Sequence, residues 1–229
     1  MGGSVRTVTL AVGLSIAAAP MAAQAPGVPV MNFGFSRGFT VGSMVGFSNA
    51  AAGDGTGFVV ALTGGFRRIA LGGFVSGLSG SALSQETVVA RGATVAIKLA
   101  GGPLVPVGIT FQTGAGYYAP ASSRTTSWHV PIGVGISWTI PQPVVALKLW
   151  AAPRLDYSRV RGPDPLADPA PGGSGQLRTT TGSDFGLSGG VNLGFLNGFG
   201  LDVAVDRLFT NVTGAKPASL GLGASYHFE

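Results

Sequence analysis

The sequence predicts an all-β protein: a closed antiparallel up-and-down transmembrane β-barrel of about ten strands, with eight or twelve as the alternatives. Three observations predict it. First, large apolar side chains recur at every second position over strand-length segments, opposite Gly, Ser, Thr and scattered charge. A soluble barrel turns its apolar face inward; a wall facing lipid carries the large apolar residues outside. Second, Trp128 and Trp138 share one face of one segment, ten positions apart. At ~3.3 Å per residue and ~40° tilt the separation is roughly 25 Å, the height of the apolar band between two aromatic girdles. Third, the connections alternate short and long, as in barrels with tight periplasmic turns and longer outer loops.

The first element is a leader. Arg6 supplies positive charge, 8–19 is an apolar stretch of small residues, and Ala23-Gln24-Ala25 is an A-x-A-like cleavage site. Residues 1–25 therefore read as a signal peptide removed on export, leaving 26–229 as the barrel. Pro26 is disfavoured directly after that cut, so cleavage one or two residues earlier stays open. Residues 31–35 share the phase of the first strand and are a candidate extension of it.

Short connections are expected at 66–68, 100–103, 140–143 and 196–198. Longer ones are expected at 49–56, 80–86, 118–125, 159–181 and 210–216. This order gives ten strands with both ends periplasmic. The stretch 69–78 loses its alternation near Gly72-Gly73, where a bulge is expected. Farther on the alternation is regular. Val105, Val107, Ile109 and Phe111 oppose Gly108, Thr110, Gln112 and Gly114; Trp128, Val130, Ile132, Val134, Ile136, Trp138 and Ile140 oppose His129, Gly133, Gly135, Ser137 and Thr139. Leu147, Leu149, Leu155 and Tyr157 oppose Lys148, Trp150, Arg154, Asp156 and Ser158. Phe185, Leu187, Val191 and Leu193 oppose Asp184, Gly186, Ser188 and Asn192, and Leu201, Val203 and Val205 oppose Asp202, Ala204 and Asp206. The segment 159–181, rich in Pro, Gly, Ser and Asp, lacks the apolar residues for a core and reads as a long outer loop.

Composition agrees. Among 229 residues, 39 are Gly and only 10% are charged, and mean hydropathy is +0.42. No stretch of ~20 apolar residues follows the leader, so a spanning helix is not expected. With no cysteine, a disulfide framework, a thiolate nucleophile and a Cys-based zinc site are excluded. The net charge of +5 is scattered, without a basic run or interleaved aromatics, which argues against nucleic-acid binding. Arg124, Arg159, Arg161 and Arg178 fall in presumed outer loops, where they would meet lipopolysaccharide phosphates or serve as ordinary solvated charge.

Two motif matches carry little. Gly186-Leu187-Ser188-Gly189-Gly190 fits G-x-S-x-G but lies within an alternating strand, without the strand-turn-helix that exposes such a serine. Gly114 to Ala119 mimics a dinucleotide fingerprint but opens no helix. His129 and His227 lack partners at ligand spacing, so no metal and no cofactor is expected. One constellation is chemically suggestive. His129, Asp156, Asp184 and Asp206 should face inward near the outer mouth, with Arg154 one step below Asp156. A histidine beside carboxylates can activate water; the ordinary reading is an ion-paired lumen, since buried charge needs a partner. Arg67, Lys98 and Lys148 are expected inward near the periplasmic end, making the lumen acidic at its outer end and basic at its inner end.

The chain finishes on Leu220, Leu222, Ala224, Tyr226 and Phe228 on one face, against Gly221, Gly223, Ser225 and His227. This amphipathic final strand resembles the C-terminal signal of bacterial outer-membrane β-barrels, except that Glu229 follows the usual terminal aromatic. The whole pattern is similar to the small OmpA/OmpX-like barrels. The resemblance implies an outer-membrane location, contact with outer-membrane lipid including lipopolysaccharide, and insertion by the barrel-assembly machinery through the last strand. Trp128, Trp138, Tyr226 and Phe228 would form the membrane girdles. Omptin-type surface proteases are also similar in having ten strands and acidic and His groups at the rim, but their sequence motifs are absent. The expected function is a non-enzymatic structural or surface-interacting envelope component with a narrow lumen. A small passive pore is the alternative, favoured by inward glycines, and an outer-rim hydrolase using His129 is a third reading.

Overall fold

The computed structural model describes residues 38–228, apart from 53, 81–86, 103–104, 120–123, 143, 164–176 and 210–216. The expected cleavage site and the candidate extension at 31–35 lie outside the described residues. Ten strands follow in order: β1 (Gly38–Ser48), β2 (Gly55–Phe66), β3 (Ile69–Gly80), β4 (Thr87–Gly102), β5 (Val105–Tyr118), β6 (Thr126–Ile140), β7 (Val145–Pro163), β8 (Leu177–Phe195), β9 (Phe199–Phe209) and β10 (Ala218–Phe228). Each pairs antiparallel with its neighbours in sequence, and β1 pairs with β10 to close the barrel. The closing seam runs from Phe39 opposite Phe228 to Ser48 opposite Ser219.

Alternation sets the wall. Phe58, Val60 and Leu62 of β2, Trp128, Ile132, Val134, Ile136 and Trp138 of β6, and Leu201, Val203 and Val205 of β9 point outward and are exposed. The two tryptophans are 50% and 52% exposed, one near each end of β6. Around the outer rim Tyr117 packs on Trp128 (5.0 Å between ring centroids) and Phe185 on Phe209 (5.8 Å). At the inner rim Tyr226 meets Phe228 edge-on (4.7 Å), and Phe228 lies 6.2 Å from Phe39 across the seam. Trp128, Trp138, Tyr226 and Phe228 are thus exposed on the outer wall near strand ends, with apolar side chains between the two rims.

Two expectations are corrected. The stretch 69–78 holds no bulge: β3 pairs residue for residue with β2 and β4. Its alternation is intact, but Phe74 and Leu78 point inward and are buried, so apolar residues occupy both faces. The register irregularities lie instead between β4 and β5, at Lys98/Ala100 and Ala100/Gly102. Secondly, 159–181 is not all loop. β7 runs to Pro163 and β8 starts at Leu177, pairing at every step up to Pro163 opposite Leu177. Polar and Thr-rich side chains suit a ladder surrounded by water, so absence of apolar residues did not signal absence of strand. At 19 residues each, these strands rise roughly 50 Å along the barrel axis at ~40° tilt, well beyond the band.

Several inward glycines lie against bulky inward side chains. Met44, Val59, Phe74, Trp150, Ala152 and Ala204 form a buried apolar cluster inside the barrel. Glycines make the room it needs: a Cβ at Gly92 would lie 2.5 Å from Phe74 Cζ, and one at Gly190 would lie 2.9 Å from Trp150 Cζ2. A ten-strand barrel has little internal volume, and one bulky side chain requires a missing one opposite. Accordingly Gly190→Ala should lower stability by about 1–3 kcal/mol through overpacking. Gly64→Ala, on the outer wall where a Cβ meets only Phe39 at 3.8 Å, should leave it unchanged. Urea unfolding of the two variants in lipid vesicles makes the comparison.

Candidate functional site

The outer half of the lumen gathers every residue of the expected rim cluster. Regular alternation on β6 to β9 turns His129, Arg154, Asp156, Asp184, Ser188 and Asp206 inward, and all are buried. Register does the rest. Asp156 stands opposite Asp184 across β7 and β8, and Ser188 opposite Asp206 across β8 and β9. Three carboxylates in one buried space repel one another, and Arg154 sits among them. Its Nε donates to Asp156 Oδ2 (2.7 Å); its two terminal nitrogens donate to Asp206, at 2.6 Å to Oδ1 and 3.1 Å to Oδ2. This fork-to-carboxylate geometry is the strong form of ion pair. Arg154 also donates to Ser188 Oγ, whose hydroxyl donates to Asp206 Oδ1. Gly186 is part of the design, since a Cβ there would lie 2.8 Å from Arg154 Cζ.

His129 belongs to a different group. Its Nε2 shares a hydrogen bond with Ser127 Oγ (2.8 Å), and its ring stacks on Tyr118 at 6.0 Å. The other ring nitrogen, Nδ1, has no hydrogen-bond partner, and neither has Asp156 Oδ1. Hence neither imidazole nitrogen is bonded to a carboxylate, and the histidine–carboxylate dyad that water activation needs is not formed. Among the described residues no group of His, Asp and Glu is arranged to hold a metal ion.

The inner half holds a second polar network. Asn192 Nδ2 donates to Asp202 Oδ1 (2.7 Å), Ser225 Oγ donates to Asp202 Oδ2 (3.4 Å), and Lys148 is drawn electrostatically to Asp202. Below it a cavity of about 690 Å³ opens at the periplasmic end, lined by Thr40, Lys148, Asn192 and His227 among others. His227 Nδ1 is 3.0 Å from Thr40 Oγ1 across the seam. Lys98 faces inward, opposite the buried Thr110. Arg67, expected in the lumen, is not there. The chain reverses at Arg67-Arg68, Arg67 takes φ +53°, and its exposed guanidinium lies over the outward Phe66 ring at 5.3 Å. Counting alternation through a two-residue turn placed it wrongly. The inner half is therefore not simply basic, because Asp202 sits inside it.

Sequence reasoning missed Ser127, Tyr118 and the role of Ser188. Ser188 lay within a rejected nucleophile motif; its inward phase beside Asp206 was the available signal. The Arg154 network leads to a prediction. Arg154→Met leaves Asp206 and Asp156 buried without their cation and should cost about 3–5 kcal/mol at neutral pH. Adding Asp156→Asn and Asp206→Asn to Arg154→Met should recover much of that loss, as read by the urea midpoint of the refolded protein.

No protein-family model matches the sequence, and no curated protein sequence matches it. Solved structures of outer-membrane barrels align with the chain at low similarity. The outer membrane enzyme PagL aligns at 10% identity with a TM-score of 0.43, over 82% of this chain and 99% of that one. The N-terminal β-barrel domain of Pseudomonas aeruginosa OprF aligns at 9% identity and 0.39, over 82% and 97%. The outer membrane protease OmpT of Escherichia coli aligns at 10% and 0.43, over 83% and 94%. A closed antiparallel sheet whose wall is apolar between two aromatic rings is built to sit in a lipid bilayer. The chain is a closed ten-strand antiparallel β-barrel with a wall suited to lipid.

Proposed function

We propose that this barrel is a non-enzymatic component of the outer membrane, closed to solute flow and presenting a surface hairpin. The observation that carries this reading is the lumen filling. The Met44, Val59, Phe74 and Trp150 cluster spans the interior from β1 to β7. Arg154 bridges β7 to β9 just outside it. An apolar layer against a closed ion network is a poor path for hydrated ions, which would shed water to pass. The separation of His129 from the carboxylates supports the absence of hydrolysis. The hairpin of β7 and β8 supports a surface role: beyond the girdle it carries the exposed Arg159, Arg161 and Arg178.

Lipopolysaccharide is the partner that the outer rim suits. Arg91 and Arg207 face outward there, with guanidinium carbons 5.8 Å from the Tyr117 ring and 5.3 Å from the Phe209 ring. Cations held on girdle aromatics meet phosphates at the level where lipid headgroups lie. Strand β10, with Leu220, Leu222, Tyr226 and Phe228 outward, is the surface that assembly machinery would read.

Conductance tests the closed lumen. Refolded wild-type protein in a planar bilayer should give no steady steps, once a heat-shifted gel band shows a closed barrel. The double variant Phe74→Ala, Trp150→Ala should give them. Steady ion-selective steps from the wild type would replace this reading with the pore. His129→Ala should change neither the conductance nor any esterase or peptidase background.

A further inference from the structure

The periplasmic turn between β2 and β3 has a feature that the lumen does not explain. On the outer wall Gly64 lies opposite Leu71, and Phe66 opposite Ile69. Phe66, Ile69 and Leu71 all face outward and are 73%, 51% and 60% exposed. Gly64 between them has no side chain, so the wall is notched. The notch, of about 670 Å³, is lined by Gly64, Phe66, Arg67, Arg68, Ile69 and Leu71. Its floor and sides are apolar and continuous with the lipid-facing band. Its lip is two adjacent arginines, both exposed, and no acidic residue lines it.

The arginines are held at the boundary between lipid and water. Arg67 is turned outward by its positive φ and rests on Phe66. The Arg68 carbonyl accepts the Lys98 N–H at 2.7 Å, which ties the turn to β4. We propose that this notch binds one phospholipid of the inner leaflet, its phosphate on Arg67 and Arg68 and the upper part of an acyl chain against Gly64, Phe66 and Leu71. Charge complementarity selects the headgroup, since two guanidinium forks match phosphate oxygens. The apolar floor selects a chain. Position selects the leaflet, because the short turns mark the periplasmic side. A free phosphate would use the lip but not the floor.

Native mass spectrometry of the refolded protein, released from detergent micelles doped with dimyristoylphosphatidylglycerol, tests this. The wild type should retain one phospholipid. Arg67→Gln with Arg68→Gln should reduce retention at least tenfold. Gly64→Leu, which keeps both arginines and fills open space on the wall, should reduce it similarly. Arg161→Gln, on the outer hairpin, should not. A heat-shifted gel band for each variant shows that the barrel is closed. Wild-type retention by either the double-arginine variant or the Gly64 variant would overturn the proposal. So would displacement of the lipid by millimolar inorganic phosphate, which would mean an anion site alone. Dimers in place of lipid adducts, abolished by Gly64→Leu, would assign the notch to a second copy of the chain and equally overturn it.

Discussion

Everything in this protein depends on the closure of β1 against β10. Lipid offers no hydrogen bonds, so a sheet with a free edge inside a bilayer leaves backbone groups unsatisfied at several kcal/mol each. The seam removes that edge with an unbroken ladder from Phe39–Phe228 to Ser48–Ser219. Closure also fixes the circumference, and with it a small interior volume that side chains must fill or water must occupy. The inward glycines, the apolar cluster and the Arg154 network are three parts of one answer to that volume. Glycine at 92, 186 and 190 removes side chains where Phe74, Arg154 and Trp150 need space.

The charges follow from the same closure. Inward positions of β7, β8 and β9 carry Asp156, Asp184 and Asp206, which the register forces together. A single arginine with a planar fork can bond two carboxylates and a hydroxyl at once; a lysine, with a compact point charge, cannot reproduce that geometry. Taking one partner from such a network costs more than its presence contributes, because the remaining charges stay buried. Arg154 is therefore better understood as a condition for the acidic rim than as a source of net stability.

The architecture was readable because period-two patterning is a direct consequence of a wall with two different sides. Strand count and the short-long order of connections came from that pattern. Less visible were features that break the rule that small polar residues face inward. Phe74 and Leu78 looked like a bulge because they are apolar on the inner face. Arg67 was misplaced because alternation does not continue through a turn with positive φ. The strand in 159–181 was hidden because an extended ladder in water needs no apolar face. In the candidate site, Arg154 with the three aspartates could be anticipated from phase alone. The Ser127–His129–Tyr118 group could not, because Ser127 and His129 lie two apart on one strand while Tyr118 arrives from β5 across an intervening loop.

The unequal lengths of β8 and β9 have one more effect. The last step of pairing between them is Phe185 opposite Phe209, while β8 reaches back to Leu177 on its β7 side alone. Above the membrane the sheet narrows to a ribbon, and residues 177–184 have no strand beside their far edge among the described residues. Such an edge is a template onto which another chain can add. Arg178 and the threonines at 179–181 make it hydrophilic on both faces, so crowded copies in a membrane gain little by pairing there. The same composition that disguised this strand thus leaves its open edge with little apolar surface to reward edge-to-edge association.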